Sequence, residues 1–179
     1  MLAARLGQTG RMFRPAAPAD AEAIARHRYP ESSDAAERSV YAAWVEGALR
    51  RGLYLGWLAE GGEGVVAGAG LTLLEWGPSR GDTQPWRARV VNVWTHPERR
   101  RRGLARQLVT RCLETARAHG VSRVSLSTTP EARALYAALG FTASATELVW
   151  TAAAAAADGD PMGDRFSLPL TGSSQRGKP

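Results

Sequence analysis

Apolar residues follow two rhythms along this chain: short runs that favour strands, and longer segments in which they recur every three or four positions. The clearest helical segment is predicted over Gly103–His119, where Gly120 is the expected C-terminal stop. Its apolar stripe falls at four-residue steps and consists of Leu104, Leu108, Cys112 and Ala116. We expect this stripe to face the core, which makes Cys112 a packing residue.

Three further helices are predicted. The first covers Ala21–His27, with Asp20 as its expected cap, and another starts at Pro130 and runs to Leu139. Between them, a helix over about Ala35–Arg50 is predicted from apolar residues at helical spacing. Those residues are Val40, Trp44, Val45, Ala48 and Leu49.

Strands are predicted where apolar runs lie between turn residues. They cover Phe13–Arg14, Leu53–Ala59, Val65–Trp76, Arg87–Thr95, Val121–Ser127, and one or two more strands within Phe141–Thr151. Gly68 and Gly70 inside one strand predict a bulge or a close backbone approach. Trp76 and Trp94 are expected in the core, the usual place of tryptophan in a strand, although Trp94 could instead line a substrate pocket.

The order of these elements predicts a partly parallel sheet covered by helices. The 179 residues suit one domain with some length left over. We expect the domain to occupy 12–151, after a flexible leader over 1–11 and before a low-complexity tail over 152–179. Because the leader contains arginine and no acid, a transit peptide is one alternative. A true start of the protein at Met12 is another.

The net charge of +6 and the pI of about 10.4 first suggest a polyanionic partner. Residues 1–14 carry three of these charges and Arg99–Arg102 carry four, so the rest of the chain is close to neutral. We therefore expect one small anion site, with no nucleic acid and no membrane as partner. No apolar run reaches the ~18 residues of a membrane span. A single cysteine excludes an internal disulfide and a cysteine-rich zinc site, so we expect no metal and a cytoplasmic location.

The four arginines form a turn between an apolar strand and the strongest predicted helix. The first N–H groups of that helix have no intrahelical partner and carry the positive end of its dipole. Gly103 offers no side chain that could obstruct an anion, and the arginines add charge-assisted hydrogen bonds. A solvated charged turn is the alternative interpretation.

Two motifs on either side of this helix resemble the GNAT superfamily of N-acetyltransferases. Arg100-x-x-Gly103-x-Ala105 matches the family's (Gln/Arg)-x-x-Gly-x-(Gly/Ala) signature, and the segment from Leu135 to Phe141 is similar to its Leu-Tyr-x-x-Leu-Gly-Phe sequence. The resemblance covers about residues 12–151. It implies an α/β (α+β) fold with a mixed, mostly antiparallel central sheet, in which the parallel fourth and fifth strands splay apart, flanked by about four helices.

The resemblance implies acetyl-coenzyme A as the cosubstrate and assigns residues to it. The expected diphosphate contacts are Arg100, Arg101, Arg102, Gly103, Leu104, Ala105 and Arg106. The pantetheine arm is expected against the backbone of Val93, Trp94 and Thr95, one of whose N–H groups would polarise the thioester carbonyl. Where many members have an asparagine, this chain has Thr128 and Thr129, and Thr129 is our candidate.

Tyr136 stands where the family usually places the tyrosine that protonates the leaving thiolate. A phenol of pKa ~10 near a thiol of pKa ~8.5 is a plausible proton source. Many members also carry a glutamate base on the fourth or fifth strand, and this chain has none there. The candidates for that base are Glu75, Glu31, Asp34, His27 and Glu147. Asn92, Glu75 and Glu31 are the candidate substrate contacts.

The resemblance therefore predicts an acetyl-coenzyme A dependent N-acetyltransferase that acts by direct transfer, without a covalent intermediate on Cys112. The acceptor is expected to be a small amine or a peptide N-terminus, because the regions that set it in the family, 28–36 and 75–85 among them, carry few acids. The enzyme is expected as a monomer or homodimer. A non-catalytic acyl-coenzyme A sensor is the alternative, and a nucleic-acid binder using the arginines is a weaker one.

Overall fold

The computed structural model describes residues 12–62 and 64–144. Its centre is a five-stranded sheet in the order β1-β2-β3-β4-β5. The strands are β1 (Phe13–Pro15), β2 (Tyr54–Gly61), β3 (Gly64–Glu75), β4 (Trp86–Thr95) and β5 (Val124–Ser125). Neighbouring strands are antiparallel except β4 and β5, which are parallel. The predicted mixed sheet with one parallel pair is confirmed.

Four α-helices cover the two faces of this sheet in the described residues. They are α1 (Ala21–Arg28), α2 (Ala35–Arg50), α3 (Leu104–Ala118) and α4 (Arg133–Ala137). On one face, α1 and α2 pack around Tyr54 and Leu58 of β2. On the other face, α3 packs against β2, β3 and β4, and Tyr136 of α4 belongs to the same core. These elements lie within one compact unit that ends at Thr142.

The predicted stripe of α3 forms the centre of the larger core. Leu104, Leu108, Cys112 and Ala116 are all buried. The thiol of Cys112 donates to the carbonyl of Ala69 at 3.7 Å, and burial raises the pKa of this thiol to about 12. A thiol that stays protonated and has no access to solvent is a poor nucleophile, which agrees with a packing role.

Helix α2 is present as predicted, and two other local predictions were wrong. Val40 and Trp44 of α2 are 73% and 42% exposed, because this helix packs on the sheet through Val45 and Ala48. The carboxylate of Asp20 does not cap α1; it accepts hydrogen bonds from the Arg14 guanidinium and from the Ala17 N–H. Trp76 is 63% exposed, with the Arg87 guanidinium over its ring, and is not a core residue.

The end of the domain is less regular than the predicted pattern. Strand β5 has two residues in place of the predicted seven, and the predicted helix from Pro130 divides into a short 3-10 turn and α4. Residues 141–144 form no strand. The rest of the predicted final strands, the leader over 1–11 and the tail lie outside the described residues.

Candidate functional site

A β-bulge interrupts β4 at Asn92. Gly68 of β3 pairs with Trp94, but Gly70 pairs with Val91, so Ala69 faces two residues of β4 instead of one. Asn92 has a positive φ of 53°, a backbone conformation that asparagine tolerates better than most residues. The predicted bulge is therefore present, with its extra residue on β4. After the bulge, β4 continues its pairing with β3 at Trp94 and Thr95.

The side chain of Asn92 joins three other elements. Its amide donates to the hydroxyl of Tyr41 at 2.7 Å and to that of Tyr54 at 3.1 Å. Its carbonyl oxygen accepts a hydrogen bond from Arg28 at 3.2 Å. Burial raises the pKa of both tyrosines, so the two hydroxyls stay neutral acceptors. These four residues form what we name the Asn92 network.

Gly70 makes room for this network. A Cβ atom at Gly70 would lie 2.1 Å from the hydroxyl oxygen of Tyr54, which is far inside van der Waals contact. The ring of Tyr54 therefore crosses β3 over a glycine to reach Asn92 on β4. The sequence signal for a close approach at this glycine was correct, and the approaching group is this phenol.

His27 lies against the bulge from α1. Its imidazole stacks on the indole of Trp94, with 3.7 Å between ring centroids and 8° between planes. Burial lowers the pKa of His27 to about 4, so the ring is neutral at physiological pH. A cavity of about 10 Å³ beside it is also lined by Asn92 and Tyr54, which is close to the space one water molecule needs.

Strand β4 extends well beyond its pairing with β5. The two strands pair only at Ala88 with Val124 and at Arg89 with Ser125. Among the described strands, none pairs with this edge of β4 from Val90 to Thr95, so the edge offers free backbone groups. The predicted pantetheine contacts Val93, Trp94 and Thr95 all lie on this segment. The hydroxyl oxygen of Thr95 is buried and has no hydrogen-bond partner in the described part of the chain.

The arginine turn leads directly from this strand into α3. Arg101 and Gly103 both have positive φ, 60° and 76°. The first backbone bond of α3 joins the Gln107 N–H to the Gly103 carbonyl, so the N–H groups before Gln107 have no carbonyl within the helix. All four side chains from Arg99 to Arg102 are exposed, and none forms an ion pair with a described residue. Arg100 donates from Nε to the Thr95 carbonyl at 3.3 Å, which ties the turn to β4.

The remaining predicted contacts of the cosubstrate lie close to this turn in the chain. Leu104 is buried at the first turn of α3, Ala105 is half-buried, and Arg106 is exposed. Thr129, which is exposed, precedes the 3-10 turn before α4, and its carbonyl accepts from Thr128 and from the Ala132 N–H.

Tyr136 occupies the buried side of α4. It is 8% exposed, and its ring meets Phe141 edge to face at 5.9 Å. Burial raises its pKa, so the phenol remains protonated at physiological pH. Tyr136 is thus both a packing residue and a protonated donor, which keeps its predicted catalytic role as a proposal.

The acidic candidates are not gathered at the bulge. Glu75 pairs with Trp86 at the opposite end of β4, about 20 Å along the strand from Asn92. Glu31 and Asp34 flank the 3-10 turn before α2, and the Glu31 carbonyl accepts from Arg38. Glu147 lies outside the described residues. Of the base candidates that the structure describes, His27 is the one that contacts β4 beside the bulge.

Sequence reasoning missed most of the Asn92 network. It singled out Asn92 but gave Tyr41 and Tyr54 no role in the site. These residues are 51 and 38 positions from Asn92 in the chain, and no local pattern links such distant positions. Gly70 inside β3 was the available signal, because a glycine within a strand indicates a bulge or a close approach.

Comparison with known proteins identifies the family. The chain matches the Acetyltransferase (GNAT) family over residues 19–141, well over half its length, and it therefore belongs to this family. A search of the curated proteins gives no match. The described residues contain no helix that is long and apolar enough to cross a membrane and no cluster of metal-binding side chains.

Several solved structures share the fold. A GCN5-related N-acetyltransferase from Ralstonia eutropha JMP134 is 28% identical, with a TM-score of 0.71 over 78% of this chain and 97% of its own. A predicted acetyltransferase with acetyl-CoA from Clostridium acetobutylicum has 19% identity and a TM-score of 0.71 over 78% and 94%. The ribosomal-protein-alanine N-acetyltransferase from Brucella melitensis biovar Abortus 2308 has 18% identity and a TM-score of 0.60 over 78% and 98%.

Proposed function

We propose that this protein is a cytoplasmic N-acetyltransferase that moves an acetyl group from acetyl-coenzyme A directly to a primary amine of a small molecule or peptide. One observation carries the proposal. Beyond the bulge at Asn92, the edge of β4 is free of β5, and this free edge leads straight into an arginine-rich helix start.

The residues around this edge fit acetyl-coenzyme A. The buried, unpartnered hydroxyl of Thr95 suits a polar ligand group beside the strand, because leaving such a group without a partner costs about 1–3 kcal/mol. The exposed arginines and free N–H groups at the start of α3 suit a diphosphate. The proposed contacts are Arg100, Arg101, Arg102, Gly103, Leu104, Ala105 and Arg106, with Thr129 from the turn before α4.

Acetyl-coenzyme A supplies an acetyl thioester, and in the transfer a C–N bond forms while the C–S bond breaks. Backbone N–H groups of Val93, Trp94 and Thr95 are our candidates to stabilise negative charge on the carbonyl oxygen. Oxyanion donors of this kind are worth about 10²–10³ in rate. The bulge supports this role because it shifts the register of β4 just before Trp94 and Thr95, on a segment that β5 does not cover.

We assign Tyr136 to the leaving sulfur. Full proton transfer from a phenol to a thiolate is uphill by at least ~1.5 pKa units, and burial of Tyr136 increases this difference. Its contribution is therefore a hydrogen bond that strengthens as charge develops on sulfur. A preorganised hydrogen-bond donor aimed at developing negative charge contributes about 10²–10³ in rate.

The proton of the attacking amine needs an acceptor on the other side of β4. We assign this to His27, acting through water, because the imidazole is neutral and lies against Trp94. A base with a pKa near 4 does not retain the proton, so it serves as a relay to solvent. Asn92 is fixed beside it and is our candidate for contact with the amine.

The experiment incubates the full chain with acetyl-coenzyme A and a broad panel of primary amines, and follows free thiol. Thiol release that depends on the amine, with the acetylated product identified by mass spectrometry, supports the proposal. Binding of acetyl-coenzyme A without release above the spontaneous rate for any amine contradicts it and favours the sensor alternative.

A further inference from the structure

An apolar groove lies along α2, beside Tyr29 at the end of α1. It encloses about 500 Å³, which is within the ~300–1,000 Å³ range of small-molecule sites. Its lining consists of Tyr29, Ala36, Glu37, Val40, Tyr41 and Trp44. The exposure of two large apolar side chains, Val40 and Trp44, is explained if this groove holds a ligand.

The groove is joined to the candidate site through Tyr41. The ring of Tyr41 forms part of the groove, while its hydroxyl accepts the 2.7 Å hydrogen bond from Asn92 at the bulge. Asn92 is two residues from Trp94 on the strand where we propose the acetyl transfer. A molecule in the groove can therefore reach the acetyl group without crossing the sheet.

A positive charge, that of Arg28, lies at the junction. The guanidinium of Arg28 is 4.9 Å from the ring centroid of Tyr41 and 5.4 Å from that of Tyr29, and it donates to Asn92. Arg28 forms no ion pair with any described residue, although Glu31, Asp34 and Glu37 belong to neighbouring segments. Its unused N–H groups suit a carboxylate, which a guanidinium binds with two parallel hydrogen bonds.

A second arginine adds positive charge on the same face of the sheet. Tyr54 pairs with Thr72, Thr72 with Arg89, and Arg89 with Ser125, so these residues point to the face that α1 and α2 cover. The guanidinium of Arg89 donates to the hydroxyls of Ser125 and Ser127 and has no ion pair among the described residues. An anionic group on the acceptor is therefore favoured here.

We propose that the acceptor is a primary amine that carries a carboxylate and an apolar arm, that is, a free hydrophobic amino acid. Arg28 binds the carboxylate, the groove holds the side chain against Tyr29, Tyr41 and Val40, and the amine is left facing Trp94. Glu37 at the groove repels acidic side chains. The inference rests on the proposed function and names its substrate class.

Calorimetry tests this without depending on turnover. L-leucine and L-phenylalanine are titrated into the full chain, each beside its amide, which has the same side chain and amine but no carboxylate. We expect the two amino acids to bind at least ten times more tightly than their amides. Arg28→Gln should remove this preference, whereas Arg26→Gln, on an exposed residue of the same helix, should keep it.

The same pairs are then compared as acetyl acceptors. Arg28→Gln should raise KM for L-leucine at least ten times more than it raises KM for L-leucinamide. Val40→Ser should raise KM for L-leucine more than it raises KM for glycine. If the amides bind and react as well as the amino acids, or if Arg28→Gln affects amino acid and amide equally, the inference is wrong. The proposed function would still hold in that case, provided that the enzyme acetylates an amine. If acids bind selectively and no amine is acetylated, the proposed function fails and the acid subsite stands.

Sedimentation of the wild type and of Val40→Ser tests whether a second copy of the chain occupies the groove. We expect the same oligomeric state for both. A dimer that Val40→Ser dissociates, with no change in L-leucine binding, would mean that a second copy of the chain covers the groove, and this outcome also overturns the inference.

Discussion

At the scale of single residues, Gly70 decides whether the Asn92 network can form. We predict that Gly70→Ala lowers the free energy of unfolding by about 1–3 kcal/mol, because its methyl group would overlap the Tyr54 hydroxyl in a packed interior. Urea denaturation measures this change.

Gly62→Ala is the matched control for this substitution. A Cβ at Gly62 has no atom within 4 Å, so the same added methyl should leave stability nearly unchanged. Equal midpoints for Gly70→Ala and the wild type would show that the Tyr54 ring can move aside without cost, and the fixed geometry of Asn92 would then have to be abandoned.

Tyr136 gives the second prediction at this scale. Tyr136→Phe should lower kcat about 100-fold with little change in KM for acetyl-coenzyme A, because only the hydroxyl is lost. The edge-to-face contact with Phe141 needs only the ring, so the Tm should stay within a few degrees of the wild type. An unchanged kcat would remove Tyr136 from the mechanism and leave it a packing role.

At the scale of elements, the start of α3 can be tested at Gly103. Its φ of +76° costs a side-chain-bearing residue about 1–2 kcal/mol, and the surrounding space is open, since the nearest contact for an added Cβ would be the Gln107 side chain at 4.0 Å. Gly103→Ala should therefore lose that much stability and also weaken coenzyme A binding at least several-fold, because the methyl group stands where we propose the diphosphate.

Gly52→Ala provides the comparison for that element. Gly52 follows α2, has a similar φ of +69° and equally open surroundings, so it should show the strain without the binding defect. Both losses are measured by denaturation and by calorimetry with coenzyme A. If the two variants bind coenzyme A equally well, the anion site does not involve Gly103.

The elements also show how far the sequence could lead. Helix α3 was predictable because one apolar stripe contacts one core. Helix α2 was predictable in extent but not in orientation, because its apolar residues exceed one face and only the packing decides that Val45 is buried while Val40 is exposed. Strand β5 was overestimated because an apolar run does not show where its partner strand diverges from it.

The candidate site divides in a similar way. Most of its proposed coenzyme side is contiguous in the chain, from Val93 to Arg106, so a motif could predict it. Its acceptor side joins Arg28, Tyr41, Tyr54 and Asn92 from four elements, and their meeting depends on strand register and helix packing. No local pattern encodes such contacts.

At the scale of the whole molecule, His27 links stability to pH. Its pKa is lower in the folded protein, about 4, than its ordinary value of 6.5, so the unfolded chain binds more protons between these values. Stability should therefore fall as pH decreases from about 6.5 to about 4. Allowing for solvent that reaches the half-buried ring, we expect a loss of about 1–2 kcal/mol over this window.

His27→Phe keeps an aromatic ring on Trp94 and removes the titration. The difference in unfolding free energy between this variant and the wild type, measured from pH 7 to pH 4, should change by that amount. The pKa of Asp20 is lowered by its hydrogen bonds with Arg14. The stability that Asp20 contributes is therefore lost at lower pH, and equally in both proteins. If the unfolding free energies of the two proteins change in parallel with pH above pH 4, His27 is not the group that links stability to pH.

The Asn92 network also constrains how this protein can change over generations. Arg28, Tyr41 and Tyr54 all hydrogen-bond to Asn92, and Tyr54 is buried, so removing its partner leaves a buried hydroxyl at a cost of about 1–3 kcal/mol. Losing Asn92 alone is therefore a barrier to substitution. Relatives that keep an asparagine at the bulge should keep the two hydroxyls and a glycine opposite Tyr54, and those that lose it should differ at all of these positions together.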